Sequence, residues 1–207
     1  RTKTSPSPAG QTGDLHPPCW RGVATGPFRL QARTGETQWA DMRAGYDVLS
    51  NEMKQRVEGL CALHSNYYSH EMLGQVPRTG DGYGFHTKGA PLRPLVKTHP
   101  ETDRKSLYIG RHAYGIPGIT EAQSEELLAE LLDLAAQSPR VTEHHWQPGD
   151  LAIWDNRRVL HRVAPYDYSQ PRVMRHTRVA GDPASELAGT LPDIRATTYQ
   201  PGQIAVD

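Results

Sequence analysis

The chain has 207 residues, a length that fits one compact domain with tails and not two full domains. Lys plus Arg and Asp plus Glu both number 23, so the formal net charge is about zero and a nucleic-acid partner is not expected. The apolar runs are far shorter than the roughly 20 residues that span a bilayer, and two cysteines with no leader pattern indicate a protein of the reducing cytoplasm. The 19 glycines and 17 prolines favour short elements and β structure.

The N-terminal part of the chain predicts little regular structure before two short helices. Residues 1–36 contain scattered prolines and show no period of 2 or 3.6, so an irregular segment is predicted. Asp41 is typical of a helix N-cap and predicts a short helix over 42–49, and Ser50 predicts a second helix directly after it.

The middle of the chain contains a long polar stretch, a hairpin and one strong helix. The stretch 65–90 contains several tyrosines and glycines, and both a lid and plain disorder are open for it. Two short apolar runs, 95–98 and 107–109, flank a turn and predict a hairpin. Thr120 and Gln123 form a capping-box pattern for a helix to about residue 137, whose leucines make one apolar stripe.

The last part of the chain predicts strands followed by a loose tail. The strands are expected over 141–146, 151–154, 158–163 and 172–179, each bounded by turn residues. After Gly181 the chain is again punctuated by proline and glycine, which predicts an extension without a periodic face.

Two arrangements of histidine with charged residues are candidates for chemistry. Mononuclear iron oxygenases use two histidines and a carboxylate, two of them commonly spaced as H-x-D or H-x-E. The one match is His99-Pro100-Glu101, for which exposed turn residues are the favoured interpretation. His161 is followed 11 residues later by Arg172, and two adjacent strands would bring them together. Both a carboxylate-binding site and an ordinary histidine beside a surface salt bridge remain open for this pair.

Motifs from Gly35 to Asp182 resemble the taurine dioxygenase and chlorophenoxyacetate dioxygenase (TauD/TfdA-like) family of iron(II)/2-oxoglutarate oxygenases. They occur in the family's order and cover about 70% of the chain. The motifs are Gly35-Glu36-Thr37-Gln38-Trp39, Glu58-Gly59-Leu60, Leu95-Val96-Lys97-Thr98-His99-Pro100, Trp146-Gln147-Pro148-Gly149-Asp150, Trp154-Asp155-Asn156-Arg157, Leu160-His161 and Arg172-Val173-Met174.

The resemblance implies roles for single residues. It assigns His161 to the distal iron-binding histidine and Arg172 to the arginine that binds the far carboxylate of 2-oxoglutarate, with Thr37 supporting the same carboxylate. It places His112 in the substrate pocket and the loop around Tyr67 and Tyr68 at a lid. Near the substrate anion of taurine-type enzymes this chain has His176, with Arg175 beside it.

The resemblance also implies a fold and an activity. The fold is mainly β with flanking helices, a double-stranded β-helix of the jelly-roll class, with its N-terminal strands missing. The activity is that of an oxidoreductase: Fe(II) and 2-oxoglutarate are used to hydroxylate a small anionic sulfonate or carboxylate, with release of succinate and CO2. A small-molecule substrate is the expected partner, no membrane is expected, and a homo-oligomer is left open.

One departure from the family concerns the iron ligands. The family's H-x-D pair is expected near positions 10–12, which here are Gly10-Gln11-Thr12. The organisation predicted is therefore a non-homologous segment over 1–36, an oxygenase-like domain over 37–182 and an extension over 183–207. A truncated or frame-damaged remnant that binds a carboxylate or a partner without iron is the alternative function, and unpaired strand edges leave poor folding as a further alternative.

Overall fold

The structure is a computed structural model that describes residues 20–30, 35–81, 84–180, 190, 191 and 193. Twelve strands and four helices lie in this part of the chain. The strands are β1 Trp20–Leu30, β2 Thr37–Asp41, β3 Cys61–His64, β4 Ala90–Pro94, β5 Val96–Thr98, β6 Lys105–Leu107, β7 Ala113–Tyr114, β8 Val141–His144, β9 Leu151–Asp155, β10 Val159–Val163, β11 Arg172–Ala180 and β12 Thr190–Leu191. The helices are α1 Met42–Asp47, α2 Asn51–Val57, α3 Asn66–Glu71 and α4 Glu121–Ala135.

Two three-stranded antiparallel sheets form the body that carries the site. One has the strand order β11-β1-β9 and the other β10-β2-β8. Aromatic contacts join their inner faces, because the ring of Trp154 on β9 lies 5.5 Å from that of Trp39 on β2. Face-to-face packing of two twisted antiparallel sheets is the sandwich arrangement expected of this architecture.

The strand β1 corrects the prediction of an irregular segment over 1–36. Residues 20–30 pair with β11 on one side and with β9 on the other, which places them at the centre of a sheet. Local pattern gave no sign of this strand because its two partners lie more than 120 residues further along the chain. Residues 1–19 and 31–34 lie outside the described part, and so does the expected H-x-D position.

The strands β10 and β11 also differ from the prediction. They were expected to be neighbours, but β10 pairs with β2 and β11 pairs with β1, so they belong to different sheets. The chain between β10 and β11 therefore crosses from one sheet to the other, as connections in two-sheet jelly rolls do.

The remaining strands lie beside the helices. A four-stranded sheet has the order β12-β4-β3-β7, and β5 with β6 forms the predicted hairpin. The stretch predicted to be a lid or disordered contains α3, and the ring of Tyr67 on that helix packs against Phe85 at 5.2 Å and is almost fully buried. The two residues of β12 pair with β4, whereas most of the expected C-terminal extension lies outside the described residues. In the described residues, no helix is long and apolar enough to cross a membrane.

The helices confirm the local signals of the sequence. Asp41 and Ser50 accept hydrogen bonds from the first-turn amides of α1 and α2, and Thr120 with Gln123 forms the capping box of α4. The buried leucines of α4 pack onto the outer face of the β10-β2-β8 sheet in one core cluster. Gly45 allows α1 to approach α4 closely, because a Cβ at this position would lie 2.7 Å from the Cβ of Ala135. The core therefore lies outside the sandwich, and the inner faces are left for the site.

Candidate functional site

Thr37 is the first residue of β2 and lies on the inner face of its sheet. It is opposite His144 of β8 and Val163 of β10, and only 5% of its surface is exposed. Its hydroxyl oxygen accepts a hydrogen bond of 2.8 Å from the indole Nε1 of Trp146. The indole fixes the position of the oxygen, and the hydroxyl proton remains able to donate to a bound acceptor.

Arg172 begins β11 in the facing sheet and reaches the residues that lead into β2. Its Nε donates to the carbonyl oxygen of Gly35 at 3.2 Å, and its guanidinium lies over the ring of Tyr166 at 5.5 Å. Burial lowers the pKa of this guanidinium from its ordinary value, and the nearby Tyr166 and Glu36 act in the opposite direction. The side chain remains a cation at neutral pH.

Gly35 makes the contact between Arg172 and β2 sterically possible. Its φ is +95°, a backbone conformation that L side chains rarely adopt, and a Cβ at this position would lie 3.0 Å from the Nε of Arg172. Arg172 contacts Gly35, and Thr37 follows Gly35 by two residues. The contact therefore brings Arg172 close to Thr37. The residues that the resemblance links to one carboxylate therefore lie together.

His161 lies further along the same inner face. It is opposite Trp39 of β2, two residues after Thr37, and its ring is 5.2 Å from the ring of Trp154 in the facing sheet. Trp39 lies between the sheets, 5.5 Å from Trp154 and 6.4 Å from His144. The imidazole of His161 is thus held in an aromatic wall that connects the two sheets.

The expected substrate residues are placed in three different ways. His176 is on the inner face, because its position in β11 pairs with Ala24 of β1, which pairs in turn with Ala152 next to Trp154. Arg175 was expected beside it, but successive strand residues point to opposite faces, and its position pairs through Thr25 with the exposed Leu151. Arg175 therefore lies on the outer face, and its expected place in the substrate pocket is wrong.

His112 is buried away from the two facing sheets, in the loop before β7. Its Nδ1 is 2.6 Å from the hydroxyl oxygen of Ser69 on α3, and only 4% of its surface is exposed. Next to it, His64 at the end of β3 is fully buried and packs against the ring of Tyr108. Burial, with the nearby charges of His112, Lys97 and Arg93, holds the pKa of His64 well below its ordinary value. Sequence spacing gave no signal for this pair of histidines.

The residues His99 and Asp155 correct a further expectation. His99 was expected to be an exposed turn residue, but it is 7% exposed and its Nε2 lies 3.1 Å from the carboxylate of Asp155. Asp155 also accepts hydrogen bonds from the guanidinium of Arg157, at 2.7 Å from Nη2. Burial alone would raise the pKa of Asp155, but the hydrogen bonds from Arg157 and His99 outweigh it and hold that pKa well below its ordinary value. Glu101 is exposed. His99 does not share that environment, because it is buried against Asp155 of β9, the strand before the one that carries His161.

Comparison with known proteins gives this arrangement a family. The family model described as "Taurine catabolism dioxygenase TauD, TfdA family" matches residues 24–179. The chain belongs to this family. It is 55% identical over 158 residues to the (S)-phenoxypropionate/alpha-ketoglutarate-dioxygenase of Sphingobium herbicidovorans, and the match covers 74% of this chain and 55% of the relative.

Other members of the TauD/TfdA family are similar over the same region. The identity is 41% over 151 residues with the alpha-ketoglutarate-dependent 2,4-dichlorophenoxyacetate dioxygenase of Cupriavidus pinatubonensis, covering 72% of this chain and 51% of the relative. This chain spans about half the length of the curated relatives it matches.

Solved structures of the family show the same fold. The crystal structure of AAD-2 in complex with Mn(II) and N-oxalylglycine matches with a TM-score of 0.70 and 39% identity, over 84% of this chain and 65% of that one. A taurine dioxygenase from Burkholderia xenovorans matches with a TM-score of 0.68 and 25% identity, over 88% of this chain and 61% of that one. The predicted jelly-roll class, with facing sheets of a double-stranded β-helix, is confirmed.

The family implies two bound groups, 2-oxoglutarate and Fe(II), and the described residues fit the first better than the second. For 2-oxoglutarate they offer a half-buried cation, a buried hydroxyl and a glycine that lets them approach. For Fe(II) they offer His161, but no three His, Cys, Asp or Glu side chains of the described residues are grouped so that they could hold a metal. A facial iron site needs two histidines and a carboxylate. The described part of the chain thus fits the co-substrate, and it offers His161 toward the three ligands of an iron site.

Proposed function

We propose that this chain carries the 2-oxoglutarate clamp and one iron-binding histidine of an Fe(II)/2-oxoglutarate-dependent dioxygenase. The observation that carries the proposal is the position of Arg172, Gly35 and Thr37 at one end of the sandwich interior, with His161 further along the same strand pair. The reaction proposed is hydroxylation of a small anionic substrate with release of succinate and CO2.

Arg172 is proposed to bind the carboxylate of 2-oxoglutarate that lies far from the metal. Its Nε is engaged by the carbonyl of Gly35, and its two Nη groups make no hydrogen bond to other described residues. A guanidinium whose orientation is set through Nε can present its other donors to a carboxylate. Thr37 would donate its hydroxyl proton to the same carboxylate, because Trp146 already uses the acceptor side of that oxygen.

His161 is proposed as the residue that binds Fe(II) when the full set of ligands is present. The metal would supply the activation of oxygen that amino-acid side chains do not provide. Trp39 and Trp154 flank the imidazole and would limit the access of water to this end of the interior.

The proposed substrate class is an aryloxy carboxylate or a related small anion. Two observations support it: the relatives are named for phenoxypropionate and 2,4-dichlorophenoxyacetate, and His176 lies on the inner face in the strand of Arg172. His112, which is buried beside Ser69 of α3, is also proposed as a substrate residue.

The clamp is tested by calorimetric titration of 2-oxoglutarate into the protein, with and without Fe(II) under anaerobic conditions. Two charge-assisted hydrogen bonds contribute roughly 3 kcal/mol, so Arg172→Ala should weaken binding about 100-fold. Arg175→Ala is the matched control, because it removes an arginine from the outer face of the same strand and should leave binding unchanged. Equal affinity of the Arg172 variant and the natural chain would reject the clamp.

The same titration separates a second candidate function, a carboxylate-binding protein that does not use iron. The sequence Gly10-Gln11-Thr12, where the family resemblance places the H-x-D iron ligands, favours this candidate. If Fe(II) produces a visible charge-transfer band with 2-oxoglutarate that His161→Ala abolishes, the dioxygenase is supported. If 2-oxoglutarate binds with the same affinity in the presence and absence of Fe(II) and no band forms, the second candidate is supported. A cytoplasmic location and a homo-oligomer stay predictions.

A further inference from the structure

A groove of about 280 Å³ lies on the outer face of the β10-β2-β8 sheet, beside the C-terminal half of α4. Its position is set by strand alternation: Thr37 and Trp39 face the sandwich interior, whereas Gln38 and Ala40 face outward and line the groove. The sheet therefore separates this groove from the proposed 2-oxoglutarate clamp. A volume of this size is just below the range of typical small-molecule sites, about 300–1,000 Å³.

The floor of the groove is apolar. Ala40, Val141 and Leu160 provide it from three neighbouring strands, and Leu132 of α4 and Ala136, the C-cap of α4, complete it. Ala40 belongs to the hydrophobic core, and Val141, Leu160 and Leu132 are partly buried and pack against it. An apolar floor of this kind would favour a ligand with a compact apolar group.

The charged residues of the groove are arranged unevenly. Arg111, from the loop before β7, lines it with a half-buried guanidinium, and the buried Nε makes no hydrogen bond with any of the described residues. No ion pair of Arg111 occurs within the described ranges either, and burial lowers the pKa of its guanidinium. Arg162 lies at the rim and donates to the side-chain oxygen of Gln38 at 2.7 Å. Asp133, on α4, is the acidic residue of the lining.

A buried donor without an acceptor is costly, and the cost is greater for a charged group. A ligand that brings one carboxylate to Arg111 would restore the missing acceptor in the geometry that a guanidinium prefers. A second carboxylate would face Asp133, which repels it. The side chains thus select one negative charge and an apolar body.

We propose that this groove is a second ligand site, which binds a monocarboxylate carrying a compact apolar group through Arg111. The site shares no residue with the clamp of Arg172 and Thr37, but His161 of β10 is part of its lining. Because the backbone of β10 forms one wall, a ligand here contacts the strand that carries His161 from its outer side.

The test is a titration of the full chain with benzoate, followed through the arginine Nε–H signals in a proton–nitrogen NMR spectrum. Benzoate has one carboxylate and one flat apolar ring, and benzamide is the matched neutral probe. The expected result is a saturable shift of the Arg111 signal with benzoate in the millimolar range and none with benzamide. Saturating 2-oxoglutarate, a dicarboxylate, should not compete.

Two variants test the role of Arg111 in the same benzoate titration. Arg111→Gln keeps a polar side chain but removes the charge, and it should weaken benzoate binding at least tenfold, an amount typical of a lost charge-assisted bond. Arg104→Gln is the control, because Arg104 is exposed, is paired with Asp47 and is not part of the groove lining, and it should leave binding unchanged.

Three results would overturn the proposal. One is an Arg111 signal that does not move at saturating benzoate in the natural chain, a measurement that needs no variant to fold. Another is a shift of equal size with benzamide, which would show that the charge is not recognised. The third is unchanged affinity in a folded Arg111→Gln variant.

Discussion

Replacing Gly35 with alanine is expected to weaken 2-oxoglutarate binding without removing any group that touches the co-substrate. The new Cβ would lie 3.0 Å from the Nε of Arg172 and 3.1 Å from the Cβ of Tyr166. These atoms must give way by a few tenths of an ångström, so we expect the guanidinium of Arg172 to be displaced from the carbonyl of Gly35. The expected loss of affinity lies between about 10-fold and the 100-fold of Arg172→Ala, which removes roughly 3 kcal/mol of hydrogen bonding.

Gly118 provides a matched control for the backbone part of this effect. Its φ is +93°, close to the +95° of Gly35, and nothing lies within 4 Å of a Cβ built on it. Both alanine variants should lose about 1–2 kcal/mol of unfolding free energy, because an L side chain is strained in the left-handed region. Only Gly35→Ala should also lose affinity for 2-oxoglutarate.

The assay combines urea unfolding with calorimetric titration of 2-oxoglutarate for the natural chain and both variants. Stability and affinity are measured on the same samples, so a general loss of folding is separated from displacement of Arg172. Equal affinity of Gly35→Ala and Gly118→Ala would refute the reasoning that Gly35 positions the clamp.

Two further predictions concern buried ionisable groups. Asp155→Asn should lower the free energy of unfolding by about 3 kcal/mol in urea titrations, because it removes the carboxylate that lies 2.7 Å from the buried guanidinium of Arg157 and leaves it the exposed Glu101 at 3.5 Å. Since the pKa of Asp155 is lowered by folding, its contribution is present above about pH 4 and is lost as the pH falls below that value, and the Asn variant should lack this acid-dependent step. The pKa of His64 is also lowered by folding, so the unfolded chain takes up a proton there first and stability falls as the pH drops below about 6.5. His64→Leu should therefore show a shallower loss of stability between pH 7 and pH 5, and a slope as steep as that of the natural chain would contradict the burial of a neutral imidazole.

The sequence by itself determined the features that depend on neighbouring residues. The caps of α1, α2 and α4 follow from Asp41, Ser50 and the Thr120–Gln123 pair, because a cap is a contact across three or four residues. The turn-bounded strands of the last third and the β5–β6 hairpin are also local features. The family motifs around His161 and Arg172 are short strings that can be recognised without knowledge of the fold.

Only the tertiary structure decided which of these pieces meet. The spacing of His161 and Arg172 suggested adjacent strands, but the two residues lie in facing sheets, connected through Gly35, Thr37 and Trp154. Arg175 was expected beside His176 but lies on the outer face, because the pairing of β11 with β1 fixes which alternate residues of β11 face inward. The strand β1 and the buried contact of His99 with Asp155 had no local signal, since their partners are 56 or more residues away. Strand pairing and burial are long-range properties, so the order of residues along the chain does not reveal them until the sheets have formed.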